Sequence, residues 1–120
     1  MSANKRRVPR FKRRLGVRFR SEGGHARSAF TGDVSRDGLY VTCATPETPG
    51  RLLEIDVELP GIGEIQVTGV VAWQKRVPHQ LQSVTRGGFG VEIRLSPWEW
   101  AEFFEKLEAR ATLVAPPLQR

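Results

Sequence analysis

Cysteine occurs once in the 120 residues, at Cys43, so no internal disulfide can form. A chain of this length buries a sizeable core without cross-links, and the single thiol reads as a small buried hydrophobe in a reducing cytoplasm. No run of about 18 apolar residues is present, which excludes a membrane-spanning helix. No apolar stretch follows the basic N-terminus, so it does not read as a secretory signal. Histidine is limited to His25 and His79, far apart and without partners at metal-ligand spacing, so no metal site is expected. Asp33 and Ser35 lie two residues apart, but no histidine neighbours them. No nucleophile–base constellation is recognisable, and an enzyme is not expected. Internal repeats are also missing.

Acidic residues are absent from residues 1–20, which hold nine Lys/Arg. The other hundred residues hold ten Lys/Arg and thirteen Asp/Glu, a net of −3, so the formal +6 resides entirely in the N-terminal stretch. A basic strap on an acidic body serves an anion: nucleic acid, an acidic membrane surface or a small phosphate ligand. Residues 1–13 lack periodicity and carry Pro9, and they read as a flexible arm extended by like-charge repulsion. Residues 14–110 read as one domain. Residues 111–120, with Pro116-Pro117, read as a frayed tail.

The body carries a period-two pattern. Leu15, Val17 and Phe19 alternate with Gly16, Arg18 and Arg20; Glu22-Gly23-Gly24 turns the chain; a second strand runs from Ala26 to Val34. Leu39, Val41 and Cys43 alternate with Tyr40 and Thr42. Leu53, Ile55, Val57 and Leu59 alternate with Glu54, Asp56 and Glu58. After the turn Pro60-Gly61-Ile62-Gly63, the residues Ile65, Val67, Gly69, Val71 and Trp73 are expected to share one face, completing a hairpin. A polar loop from Lys75 to Arg86 precedes a last strand with Phe89, Val91 and Ile93 on one face. Six short strands at this spacing predict a mainly all-β fold, a six-stranded antiparallel β-barrel whose closure removes exposed edges. A C-terminal α-helix follows. Ser96 is placed to cap it, Pro97 suits its first position, and Glu99 completes a capping box. Trp100, Phe103, Phe104 and Leu107 form its apolar face, and Trp98 is expected to pack with them.

Two motifs carry the chemistry. Arg6-Arg7-Val8-Pro9-Arg10 is an R-x-x-x-R spacing in the arm, and Asp33-Val34-Ser35-Arg36-Asp37-Gly38 is a D-x-S-x-x-G spacing before an apolar strand. A guanidinium presents a planar fork that binds phosphate or the O6/N7 edge of guanine bidentately. Four residues of extended arm span about 13 Å, which lets Arg6 and Arg10 hold different parts of one ligand. Arg10–Arg14 and Arg14–Arg18 fit the same spacing, but Arg14 and Arg18 belong to the solvent face of the first strand. A carboxylate at Asp33 can accept from guanine N1–H and N2–H. The Ser35 hydroxyl can donate to O6, N7 or phosphate. Gly38 permits close ligand approach or takes a positive φ in a capped turn.

With these motifs in order and Arg10 preceding Asp33 by 23 residues, the chain resembles the PilZ domain family of bacterial cyclic di-GMP receptors, from roughly Lys5 to Arg110. Val70-Val71-Ala72-Trp73 and Gly88-Phe89-Gly90-Val91 resemble that family's later strands. The resemblance implies a cytoplasmic receptor and effector with cyclic di-GMP as ligand and no other cofactor. It implies ligand contacts at Arg6, Arg10, Asp33, Ser35 and Gly38, an arm that folds over the ligand, and signalling to a partner protein in trans. In the family the position before the first motif, here Lys5, influences whether one ligand or an intercalated pair binds. Arg7 and Arg36 are accessory candidates. Trp73 reads first as closing the core beside Val71, and second as an aromatic platform for a purine.

Two rivals remain at this point. One is a nucleic-acid-binding small β-barrel, supported by the arm and the barrel-like β pattern and disfavoured by the acidic body and the scarcity of surface aromatics at base-stacking spacing. The other is a PilZ-like protein-interaction module without nucleotide, which the intact motifs disfavour. A homodimer is compatible with the sequence.

Overall fold

A computed structural model describes residues 8–114 of the chain, with side chains as far as residue 111. The chain forms strands β1 (Arg10–Phe11), β2 (Gly16–Ser21), β3 (Arg27–Ser35), β4 (Gly38–Thr42), β5 (Leu52–Leu59), β6 (Gly63–Lys75) and β7 (Gly88–Leu95), followed by helix α1 (Trp98–Val114). Six strands pair antiparallel in the order β3-β2-β5-β6-β7-β4, and β4 returns to β3. This is the expected closed six-stranded barrel with a C-terminal helix, plus one extra strand.

The inward positions build the core. Leu53, Ile55, Val57 and Leu59 of β5 are buried, as are Val17 and Phe19 of β2, Leu39 and Val41 of β4, and Phe89 and Val91 of β7. Phe19 meets Phe89 edge to face, with centroids 5.2 Å apart. Each such fully buried side chain contributes about 1.5–3 kcal/mol. The expected helix face joins the same core through Trp100, Phe103, Phe104 and Leu107. In the β5–β6 hairpin, Gly61 (φ 78°) and Gly63 (φ 119°) supply the left-handed backbone that side chains disfavour.

β1 occupies part of the stretch expected to be an unstructured arm. Arg10 pairs with Ser35 and Phe11 with Val34, while β2 pairs with the earlier part of β3. Both strands thus lie along one side of β3, and the buried Thr31 pins the chain passing between them. Thr31 N–H donates to Leu15 O (2.9 Å), Leu15 N–H to Thr31 Oγ1 (2.9 Å), and Thr31 Oγ1 to Arg13 O (2.6 Å). The Phe11 ring packs 6.2 Å from Phe104, which ties β1 to the helix. Lys5, Arg6 and Arg7 lie outside the described residues.

Other expectations change as well. The helix runs to Val114, past the boundary expected at residue 110. Trp98 is 70% exposed rather than packed, because it lies two residues from Trp100 and so on the opposite side of the helix. Cys43 is only half-buried.

Candidate ligand-binding site

The D-x-S-x-x-G segment is the β3–β4 hairpin, with Ser35 paired to Gly38 across the two-residue loop Arg36-Asp37. Neither loop residue has a positive φ, so the turn is not of the primed kind that matches strand twist. Hydrogen bonds hold it instead. Ser35 Oγ donates to Asp37 Oδ1 (2.9 Å) and lies 3.4 Å from Gly38 O. Arg36 O accepts from Trp100 Nε1 (2.8 Å), and Asp37 O accepts from the Ile93 amide (2.9 Å). Strand β7 and helix α1 therefore both grip the loop.

This geometry revises the parts expected of Ser35 and Gly38. Ser35 is fully buried, with its hydroxyl turned into its own loop. Gly38 lacks the positive φ expected of it, and a Cβ there would stand 2.7 Å from Val91 O. Glycine is needed because β4 and β7 cross closely at that point.

Asp33, two residues earlier on the same strand, is half-buried and forms an ion pair with Arg10 of β1. The two motifs thus meet 23 residues apart in sequence, because β1 lies on the end of β3. A bulge near Gly32 puts Asp33 opposite Tyr40. Tyr40 lies opposite Gly90, and so does Trp73.

Trp73 does not close the core. A register shift between Val71 and Trp73 turns it outward, where it is 50% exposed. Its ring stacks on Tyr40, with centroids 5.2 Å apart and planes at 17°. Gly88 and Gly90 make room for the pair. A Cβ on Gly90 would lie 2.3 Å from Trp73 Nε1, and one on Gly88 2.7 Å from the Tyr40 hydroxyl. Burial pushes the Tyr40 phenol up from its ordinary value, with Cys43 and Asp33 adding to it. Tyr40 is the residue that motif reading passes over, although the alternation of β4 marks it as outward-facing.

Arg36 is engaged elsewhere. Its Nε and NH2 groups donate to both carboxylate oxygens of Glu108 at 2.9 and 3.0 Å. This bond raises the Arg36 pKa above its ordinary value and holds the Glu108 carboxyl below the usual range. Arg36 thus fastens the motif loop to α1.

The outer face can accept a ligand that is both anionic and aromatic. Arg10 supplies a planar donor fork, Asp33 an acceptor for N–H groups, and Trp73 a ring with one face covered by Tyr40. Among the described residues, no group of three or more His, Cys, Asp or Glu side chains could hold a metal ion, and no helix is long and apolar enough to cross a membrane.

A family model described as "PilZ domain" matches residues 4–100. No curated protein matches the chain. Among solved structures, the inhibitor of motility MotI/DgrA of Bacillus subtilis is similar at TM-score 0.74 and 16% identity, over 92% of this chain and 53% of that one. The MrkH–c-di-GMP complex of K. pneumonia is similar at TM-score 0.68 and 22% identity, over 89% of this chain and 52% of that one. The PilZ domain of YcgR from Escherichia coli, solved with c-di-GMP, is similar at TM-score 0.64 and 15% identity, over 91% of this chain and 97% of that one. The chain thus spans about half the length of MotI/DgrA and MrkH.

Proposed function

The chain belongs to the PilZ domain family, and on that premise we propose that it is a receptor for cyclic di-GMP. The observation that carries this reading is the Arg10–Asp33 pair beside the outward Tyr40–Trp73 stack, all on one face of the barrel. Arg10 binds phosphate or the O6/N7 edge of a guanine. Asp33 accepts from N1–H and N2–H of the base. Trp73 takes a purine on its open face, an interaction worth about 1–3 kcal/mol per base. Arg6 supplies the second guanidinium of its motif from the N-terminal side of β1, with Lys5 and Arg7 as auxiliary cations.

Ser35 and Gly38 act from beneath. The buried hydroxyl fixes the turn that aims Asp33, and the bare α-carbon lets β7 approach closely enough to complete it. The arm closes over the ligand, and the altered surface is read by a partner protein in the bacterial cytoplasm. The proteins similar to this chain that were solved with c-di-GMP, MrkH and the YcgR domain, support the choice of ligand.

Calorimetric titration with cyclic di-GMP tests the reading, with GTP and a single-stranded oligonucleotide as controls. Wild type is expected to bind at micromolar affinity or tighter, and Arg10→Ala and Asp33→Ala to lose at least a hundredfold. Because an exposed ion pair contributes only about 0–1 kcal/mol to stability, both variants should keep nearly the wild-type melting temperature. Absence of binding by wild type overturns the proposal. Binding of the oligonucleotide alone replaces it with the nucleic-acid reading.

A further inference from the structure

Cyclic di-GMP carries two guanines, and Trp73 seats only one. The same outer face holds a second flat cation–aromatic stack. The Arg14 guanidinium carbon lies 3.6 Å from the centroid of the Phe30 ring. Phe30 points outward from β3 and is 42% exposed. The stack lines an open groove of about 950 Å³ that also touches Arg18, Arg86, Gly32 and Thr42. Asp56 and Glu58 form its far bank on β5.

The groove adjoins the candidate site. Phe30 lies opposite Thr42, two residues along β4 from Tyr40. Phe30 and Tyr40 are therefore diagonal neighbours on adjacent strands, about 7–8 Å apart, and Tyr40 is 5.2 Å from Trp73. Gly32 lies between them. A Cβ there would stand 3.1 Å from the Tyr40 ring and 3.4 Å from Thr42, so glycine lets both side chains lie close against β3.

We infer that the Arg14–Phe30 stack is a second base platform, taking the other guanine of cyclic di-GMP on the open face of the Arg14 guanidinium. The inference rests on the receptor reading above. A guanidinium lying flat on an aromatic ring offers its second face to a purine, and its N–H edge remains free to meet a phosphate in the same plane. Phe30 holds that orientation in advance, so little rotamer freedom is lost on binding. Arg18 and Arg86 add positive charge for the phosphates, and the Asp56–Glu58 bank faces the donor side of a guanine. Lysine cannot replace arginine here, because a compact ammonium has no plane to stack.

The test is calorimetric titration of the full chain with cyclic di-GMP, comparing wild type, Arg14→Ala, Arg14→Lys, Phe30→Leu and Asp33→Ala. Arg14→Ala and Arg14→Lys are both expected to weaken binding about tenfold with unchanged melting temperature, and Phe30→Leu to weaken it severalfold. Asp33→Ala should remove binding altogether. If Arg14→Ala binds within twofold of wild type while Asp33→Ala does not bind, the second platform is overturned and the receptor reading stands. Full affinity in Arg14→Lys also overturns it, because a point charge would then suffice. If wild type fails to bind, both inferences fall together.

Discussion

Four glycines of the barrel, each leaving the space a neighbour needs, shape the candidate site. Gly38 admits Val91 O, Gly88 admits Tyr40, Gly90 admits Trp73, and Gly32 admits Tyr40 and Thr42. Gly90→Ala isolates one of these parts. Its methyl group would meet the indole at 2.3 Å, so Trp73 must leave its seat on Tyr40. The expected result is cyclic di-GMP affinity about tenfold weaker, from the lost stacking, with a stability cost of about 1–3 kcal/mol for overpacking. Unchanged affinity together with an altered Trp fluorescence spectrum would remove Trp73 from the site. Individual residues were partly readable from sequence. The spacing singles out Asp33 and Arg10 but not their direct pairing, since nothing in the letters shows that β1 lies along β3. Trp73 was misread because a bulge beside Ala72 has no marker in composition and reverses every inward–outward assignment after it.

At the scale of elements, helix α1 is joined to the motif loop by an ion pair and a buried indole hydrogen bond, and to β1 by the Phe11–Phe104 contact. The Arg36–Glu108 bond makes this union pH-dependent. The Glu108 carboxyl is held below its ordinary value in the folded chain. Its contribution to stability is therefore present above the unfolded carboxylate pKa and is lost as pH falls through the folded one. Arg36→Gln should accordingly lower the urea midpoint at pH 7, and progressively less as pH falls through the lowered Glu108 value, below which the carboxyl is protonated in both proteins. An equal loss at every pH would mean that Arg36 acts by packing alone. The helix and its apolar face were legible because Trp100, Phe103, Phe104 and Leu107 recur at helical spacing. The two-residue β1 was not, because a strand that short shows no alternation and sits in a cationic run beside Pro9.

For the whole molecule, period-two alternation made the barrel legible: every strand of a closed barrel has one wet and one dry face, so burial writes itself into the sequence. Strand order was not legible. It depends on long-range partners such as β2 with β5 and β4 with β7. The uneven charge has its own test. A ligand with two phosphate charges displaces few counterions, so affinity for cyclic di-GMP should fall by less than about tenfold between 50 and 200 mM salt. A fall of a thousandfold or more would indicate a polyanion gripped by all nine N-terminal cations.

On the receptor reading proposed above, the Arg10–Asp33 ion pair would act as a coincidence detector. Each partner already answers the other, so a molecule entering between them must satisfy both at once. An inorganic anion offers acceptors to Arg10 and leaves the Asp33 carboxylate stranded, while an uncharged base offers donors to Asp33 and leaves the guanidinium without its anion. Both side chains are partly exposed, so water answers a stranded partner and single contacts gain little net energy. On the receptor reading, a molecule with phosphate and a guanine donor edge in one rigid frame replaces both halves of the pair at once. On that reading, selectivity resides in the bond that must be exchanged as much as in the bonds that replace it.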